Sequence, residues 1–173
     1  IEPRNLFYFA MIDPHKSKYF PLYMDMAIRC SQESVAKRRK VGSILVTSNG
    51  LISVGWNGMP PGSDNKCEYE CDHPHLPNKT RPEVVHAERN SLDKLSRTGH
   101  TTVGAIVFIT HGPCLECAKS MYLLGIKEVW YLNEFQRNAD SLPDENDYKK
   151  HDGKQFLLDK GIPCRQFIKR DEQ

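Results

Sequence analysis

Two short runs hold residue types that can do chemistry together: His86-Ala87-Glu88 and Pro113-Cys114-Leu115-Glu116-Cys117. A Cys-x-x-Cys pair at a helix start sets both sulfurs near the helix N-terminus. The partial positive charge there favours thiolate, the form that binds metal. A distant histidine completes a three-ligand set of His86, Cys114 and Cys117 and leaves a fourth tetrahedral position open. Structural zinc sites are closed by four protein ligands, whereas catalytic ones keep a position for water. Glu88, two residues past His86, can face that water without ligating the metal. Zinc would make hydroxide available near neutral pH, and Glu88 would carry the proton to the reacting group. A lone Cys-x-x-Cys also reads as a redox pair or a structural zinc knuckle. The His-x-Glu run, an intervening strand and Pro113 favour the catalytic reading.

Both runs must begin helices that end up side by side. Val84 to about Ser96 reads as a helix carrying His86 and Glu88, and Pro113 to about Leu124 as a second, with Gly125 as its stop. The apolar run Gly104 to Thr110 is a strand between them, and Lys127 to Leu132 is another. A short helix from Asp152 to Lys160 and a last strand from Ile162 to Ile168 follow. Upstream, Pro21 suits a first helical turn, with Leu22 to about Val35 as the helix. Val41 to Thr47 and Leu51 to Trp56 flank Asn49-Gly50, which predicts an antiparallel hairpin. Strands alternating with helices predict parallel neighbours in the second half. The predicted fold is therefore a three-layer α/β/α domain around a five-stranded mixed sheet, spanning 1–173 as one domain. Residues 1–18 are expected to form an irregular arm, and Asn57 to Pro82 a long loop, of a kind that is either functional or disordered.

At 173 residues the chain suits one core, and no apolar stretch is long enough to cross a bilayer. No signal peptide is visible, although the chain opens on Ile1 rather than Met. A cytoplasmic setting is expected, the host's cytoplasm if the source is viral. The net charge of +2 is too small to argue for nucleic acid. One basic run, Lys37-Arg38-Arg39-Lys40, reads as a solvated helix end or as carrying one phosphate contact, Arg38. Six cysteines without a secretory signal argue against a disulfide framework. Cys67 and Cys71, with His73 and His75, could close a second, structural zinc site, or could be free thiols and surface histidines. Cys30 and Cys164 read as core residues.

Taken with Lys40-Val41-Gly42-Ser43-Ile44-Leu45-Val46, Gly55-Trp56-Asn57-Gly58-Met59-Pro60 and Glu83-Val84-Val85-His86-Ala87-Glu88-Arg89-Asn90, these runs are similar to the zinc-dependent cytidine/deoxycytidylate deaminase superfamily. More narrowly they resemble its viral and bacterial deoxycytidylate (dCMP) deaminases. The resemblance covers about Tyr19 to Ile168, and Ser91 stands where the family usually has Ala. It implies Zn2+ on His86, Cys114 and Cys117, with Glu88 as proton shuttle. It further implies that Ala87 borders the pyrimidine, that Asn57 meets the sugar and phosphate side, and that Arg38 contacts the phosphate. Phe135 falls where an aromatic residue often covers the pocket, and Arg137 could add charge toward phosphate. Taken as bare residues, Asn57 also reads as a turn residue and Phe135 as core packing. Hydrolysis of dCMP to dUMP and ammonia, supplying thymidylate synthesis, is the implied activity. A homohexamer is implied, with dCTP and dTTP (with Mg2+) as effectors at a loop containing Gly58, Asp64 and Asn65.

The nearest alternatives share the zinc motif: a dCTP-accepting enzyme, a riboflavin-pathway deaminase or a nucleic-acid deaminase. A polynucleotide enzyme would want a broad basic and aromatic face, which this composition lacks. A non-enzymatic zinc-stabilised assembly module is the other class, and Glu88 speaks against it, since a purely structural site has no use for that carboxylate.

Overall fold

A computed structural model describes residues 13–70, 79–135 and 152–169. Five strands make one mixed sheet: β1 (Gly42–Val46), β2 (Ile52–Trp56), β3 (Ile106–His111), β4 (Glu128–Asn133) and β5 (Cys164–Gln166). Their spatial order is β2-β1-β3-β4-β5. β1 lies antiparallel to β2 and to β3, whereas β4 and β5 continue parallel from β3. The β1–β2 hairpin closes through Asn49-Gly50, with Gly50 N donating to Thr47 O (3.0 Å).

Side chains alternate across the strands, and each face has its own helices. Ile44, Val46, Ile106 and Phe108 pack against Phe20, Tyr23, Met24 and Ala27 of α1 (Phe20–Ser31). On the other face, Leu45, Val107, Ile109, Val129 and Tyr131 meet three helices. These are α2 (Ala87–Arg97) through Leu92 and Leu95, α3 (Leu115–Leu123) through Cys117, Ala118 and Met121, and α4 (Gly153–Asp159) through Leu157. The result is three layers, with the two motif-bearing helices on the same side.

Three expectations need correction. The first helix stops at Ser31, short of Val35. Beyond it the Ser34 hydroxyl donates to Asn57 O (2.8 Å), and Glu68 Oε1 accepts from Lys37 N (3.0 Å) and Arg38 N (3.1 Å). The basic run is thus an irregular segment hung on Glu68, not a helix end. The second helix starts at Ala87 rather than Val84, because Val85 pairs with Gly58 in an isolated antiparallel bridge. In the described part of the arm, residues 13–16 lie in no helix or strand, and Ser17–Tyr19 form a 3-10 turn leading into α1. The His15 ring bonds to Val46 O (3.0 Å), and the Tyr23 hydroxyl donates to Pro14 O (3.0 Å). Cys30 is half-buried and Cys164 buried, both beside the core. Among the described residues no helix is long and apolar enough to cross a membrane.

Candidate active site

His86 and Cys114 hold equivalent places, each the N-cap of its helix, α2 and α3. Both have extended backbone, which turns their side chains back over the first helical turn. Neither side chain caps its own helix, so the donors remain available to a ligand. Cys117 follows on the buried side of α3. Gly55 sets how closely α2 approaches the sheet: a Cβ there would lie 2.2 Å from Ala87 O and 2.7 Å from Ser91 N. Ser91 is fully buried and bonds to the Ser43 hydroxyl (3.0 Å) and to Glu88 O (2.9 Å), so the serine's hydroxyl is used.

His86 Nδ1 lies 3.4 Å from Cys114 Sγ and 3.4 Å from Cys117 Sγ. Tetrahedral zinc, with Zn–N near 2.05 Å and Zn–S near 2.3 Å, holds such atoms about 3.5 Å apart. The donor set, one imidazole and two sulfurs, is of the type zinc prefers. Hydrogen bonds from Cys117 and His86 hold Cys114 as a thiolate, with its pKa down to about 4. Its bond to Cys114 raises His86 to about 9. Cys117 is pushed up, by the same sulfur pair and by burial. Donors that share protons in this way are ones a cation binds by displacing them.

Glu88 is 4% exposed, and burial pushes its carboxyl up to about 7, where a group can both accept and return a proton. It shares a cavity of about 260 Å³ with His86, Ala87 and Cys114. Arg38, Arg39, Asn57, Glu68, Thr80 and Phe135 line the same space. Phe135 can come close because Gly112 has no side chain: a Cβ there would lie 3.0 Å from Phe135 N.

The structure therefore gathers His86, Ala87, Glu88, Cys114, Cys117, Asn57, Arg38 and Phe135 around one space. The Asn57 amide has a further task. Its Nδ2 donates to Arg39 O (2.8 Å) and its Oδ1 accepts from Val41 N (2.8 Å), tying the arginine segment to the end of β2. Arg39, which the sequence leaves in solvent, is in the cavity wall as well, and burial lowers its pKa. Cys67 is buried with Ala36 and Val84 in a small apolar cluster. Cys71, His73, His75 and Arg137 lie outside the described residues. Gly58 is paired with Val85, Asp64 with Arg81 (2.8 Å), and Asn65 is exposed.

Sequence reasoning passes over His111, Glu68 and Thr80, all lining the cavity. His111 ends β3, and ligands of parallel sheets gather at the carboxyl ends of strands. That rule could have found it. Glu68 and Thr80 meet only because the long loop folds back through a Glu68–Thr80 bridge, which no local pattern announces.

The cytidine and deoxycytidylate deaminase zinc-binding region matches residues 19–133. The deoxycytidylate deaminase of Enterobacteria phage T4 is 28% identical over 156 residues, covering 70% of this chain and 81% of that protein. That of Schizosaccharomyces pombe is 35% identical over 126 residues, covering 69% of this chain but 38% of the yeast protein. Among solved structures, the dCMP deaminase of cyanophage S-TIM5, in complex with dCMP and dUMP, superposes with a TM-score of 0.72 at 36% identity. The match covers 88% of this chain and 98% of the phage chain. A zinc-binding region matched over more than half the chain, on a fold that sets one imidazole and two sulfurs beside a buried carboxylate, makes this chain a member of the zinc-dependent cytidine and deoxycytidylate deaminase family.

Proposed function

We propose that the chain hydrolyses dCMP to dUMP and ammonia. One observation carries this reading: a single cavity joins the His86–Cys114–Cys117 trio and Glu88 to two arginines. A pyrimidine placed at the first end extends its phosphate toward the second. The complex of the S-TIM5 enzyme with dCMP and dUMP supports the same substrate.

His86, Cys114 and Cys117 would hold the zinc, which when bound supplies the Lewis acid that makes water nucleophilic near neutral pH. Glu88 accepts one proton as the water oxygen bonds to C4 and passes it to N3, then accepts the second from the C4 hydroxyl as the carbonyl forms and passes it to the departing amine. The C4–N bond breaks, ammonia leaves and C4 keeps the oxygen. Burial of Glu88 suits this, because a carboxyl near pKa 7 gives up a proton as readily as it takes one. Ala87, at the start of α2, borders the pyrimidine, and Phe135 covers it. Arg38 binds the phosphate as a charge-assisted fork, and Asn57 supports it by pinning the segment that carries it.

The same reading makes the product dUMP a supply for thymidylate synthesis in the cytoplasm. It further includes a homohexamer, dCTP and dTTP (with Mg2+) as effectors near Gly58, Asp64 and Asn65, and a second zinc involving Cys67. Metal analysis addresses the last: Cys67→Ser lowers the zinc count by one if that site exists. For the activity, the test is deamination of dCMP, dCTP and deoxycytidine by purified protein, with and without chelator. Preference for dCMP, abolished by chelator and restored by Zn2+, is the expected result. Preference for dCTP, or turnover indifferent to chelator, would overturn the reading.

A further inference from the structure

His111 lines the cavity, yet neither the catalytic trio nor the arginine fork uses it. Its place is set by β3, whose last residue it is, in register with Asn133 of β4. The ring's surroundings define what it can do. Thr110, only 4% exposed, accepts Gly42 N on its hydroxyl oxygen (3.1 Å). The same hydroxyl lies 3.2 Å from His111 Nδ1. The buried hydroxyl has its own proton to place, and Nδ1 is the acceptor the structure offers it. The ring hydrogen then sits on Nε2, the nitrogen that Thr110 leaves to the cavity. Burial, followed by the charge of Arg39, pushes the imidazole below its ordinary pKa, which keeps it a neutral single donor.

The cavity decides what this donor meets. The reacting carbon must lie beside Glu88 and the metal ligands, so the anionic end of a nucleotide lies toward Arg38, Arg39 and Thr80. His111 is within the field of Arg39. We propose that His111 is a specificity-determining residue whose Nε2–H donates to an oxygen of the substrate's phosphate monoester, alongside Arg39. The inference rests on the dCMP reading above and adds to it a named donor and a named tautomer. The acceptor is an oxygen of a phosphate group, and a neutral donor adds direction that the guanidinium charges alone do not provide.

Three substitutions separate the parts of the claim. His111→Leu removes the donor, His111→Gln places an N–H where Nε2 stood, and His111→Asn places one where Nδ1 stood. Zinc-loaded proteins are compared in kcat and KM for dCMP and deoxycytidine, in calorimetric binding of dUMP, and in zinc content. His111→Leu is expected to raise KM for dCMP roughly ten- to a hundredfold, the worth of a hydrogen bond to a charged group. Its kcat should stay within about twofold, its dUMP affinity should weaken by the same factor as KM rises, and its zinc content should match the parent protein. The dCMP-to-deoxycytidine ratio of kcat/KM should fall with it. His111→Gln should recover most of the loss, and His111→Asn little. Equal losses on both substrates, or unchanged dUMP binding, would overturn the phosphate contact. Rescue by Asn as good as by Gln would overturn the tautomer and with it the proposal. A parent protein that favours deoxycytidine over dCMP would instead sink the substrate reading itself, so the two failures are told apart.

Discussion

Glu88 sits 4% exposed and two residues beyond a metal ligand, so its burial needs a reason. A buried carboxyl costs stability that hydrogen bonds or protonation only partly offset, so its place beside the ligand trio points to a use for its proton. Glu88→Gln keeps the shape and the ligand trio but cannot shuttle protons. Its kcat for dCMP should fall roughly a hundred- to ten-thousandfold, with zinc content unchanged by metal analysis. Near-normal turnover in that variant would remove Glu88 from the mechanism. Arg38→Ala should raise KM for dCMP on the order of ten- to a hundredfold and act on kcat far less. Arg39 cannot serve as the neutral comparison, because it shares the cavity wall and its charge reaches His111. Lys40, exposed and absent from that wall, is the proper control, and Lys40→Ala should leave KM within about twofold. That both Arg38 and Arg39 line the cavity could not be read from Lys37-Arg38-Arg39-Lys40 as a string. Asn57 and Glu68 bind the main chain on either side of these residues, and those bonds decide where the side chains point.

Elements deliver these residues by close approach as much as by secondary structure. At Gly55 the conflict of an added Cβ would be with backbone atoms of α2, which cannot rotate away. Gly55→Ala should therefore push α2 off β2 and cost about 1–3 kcal/mol, lowering Tm by about 2–4 °C for each kcal/mol. Gly58→Ala is the matched comparison, since nothing lies within 4 Å of a Cβ there, and its Tm should barely move. Thermal melts of the two variants check this, and equal shifts would show that packing at Gly55 is softer than its distances imply. The strands were legible to within a residue or two at most ends. β-branched runs such as Ile44 to Val46 and Ile106 to Ile109 have little choice but to be buried strands. The start of α2 was not legible, because Val84 and Val85 suit a helix locally but Val85 is claimed by Gly58 across the loop and Val84 N bonds back to Arg81 O. The same holds for the end of α1, where the chain leaves the helix for bonds to Asn57 and Glu68, far along in sequence. The ligand trio was legible because its spacing is dictated by metal geometry, which acts through a few short runs.

At the scale of the molecule, one antiparallel hairpin and three parallel strands put α2 and α3 on the same face with their N-termini converging. The proposed hexamer and its effectors act above this scale, through states that dCTP and dTTP would favour differently. Light scattering should give six chains, and dCMP kinetics should shift in opposite senses with the two triphosphates. A monomer with kinetics blind to both would reject regulation while leaving the chemistry intact. Zinc, by contrast, links the chemistry to the stability of this chain. His86 belongs to α2 and both sulfurs to α3, so an ion held by all three cross-links two helices that otherwise meet mainly through the core. A ligand that binds only the folded state stabilises it by RT ln(1 + [L]/Kd), about 2.7 kcal/mol at a hundredfold excess over Kd. Chelation should therefore lower Tm by several degrees along with activity, and added Zn2+ should restore both. Cys114→Ser should melt at one temperature with or without chelator, having lost the site. Gly55→Ala should keep the gap between chelated and zinc-loaded protein, since its defect lies behind α2 rather than at the donors. If chelator removed the metal and left Tm in place, the trio would be a site the fold carries without leaning on it, and α2 and α3 would owe their convergence to core residues such as Leu92, Leu95, Ala118 and Met121 and to the bond from Arg89 to the Ser120 hydroxyl (3.2 Å).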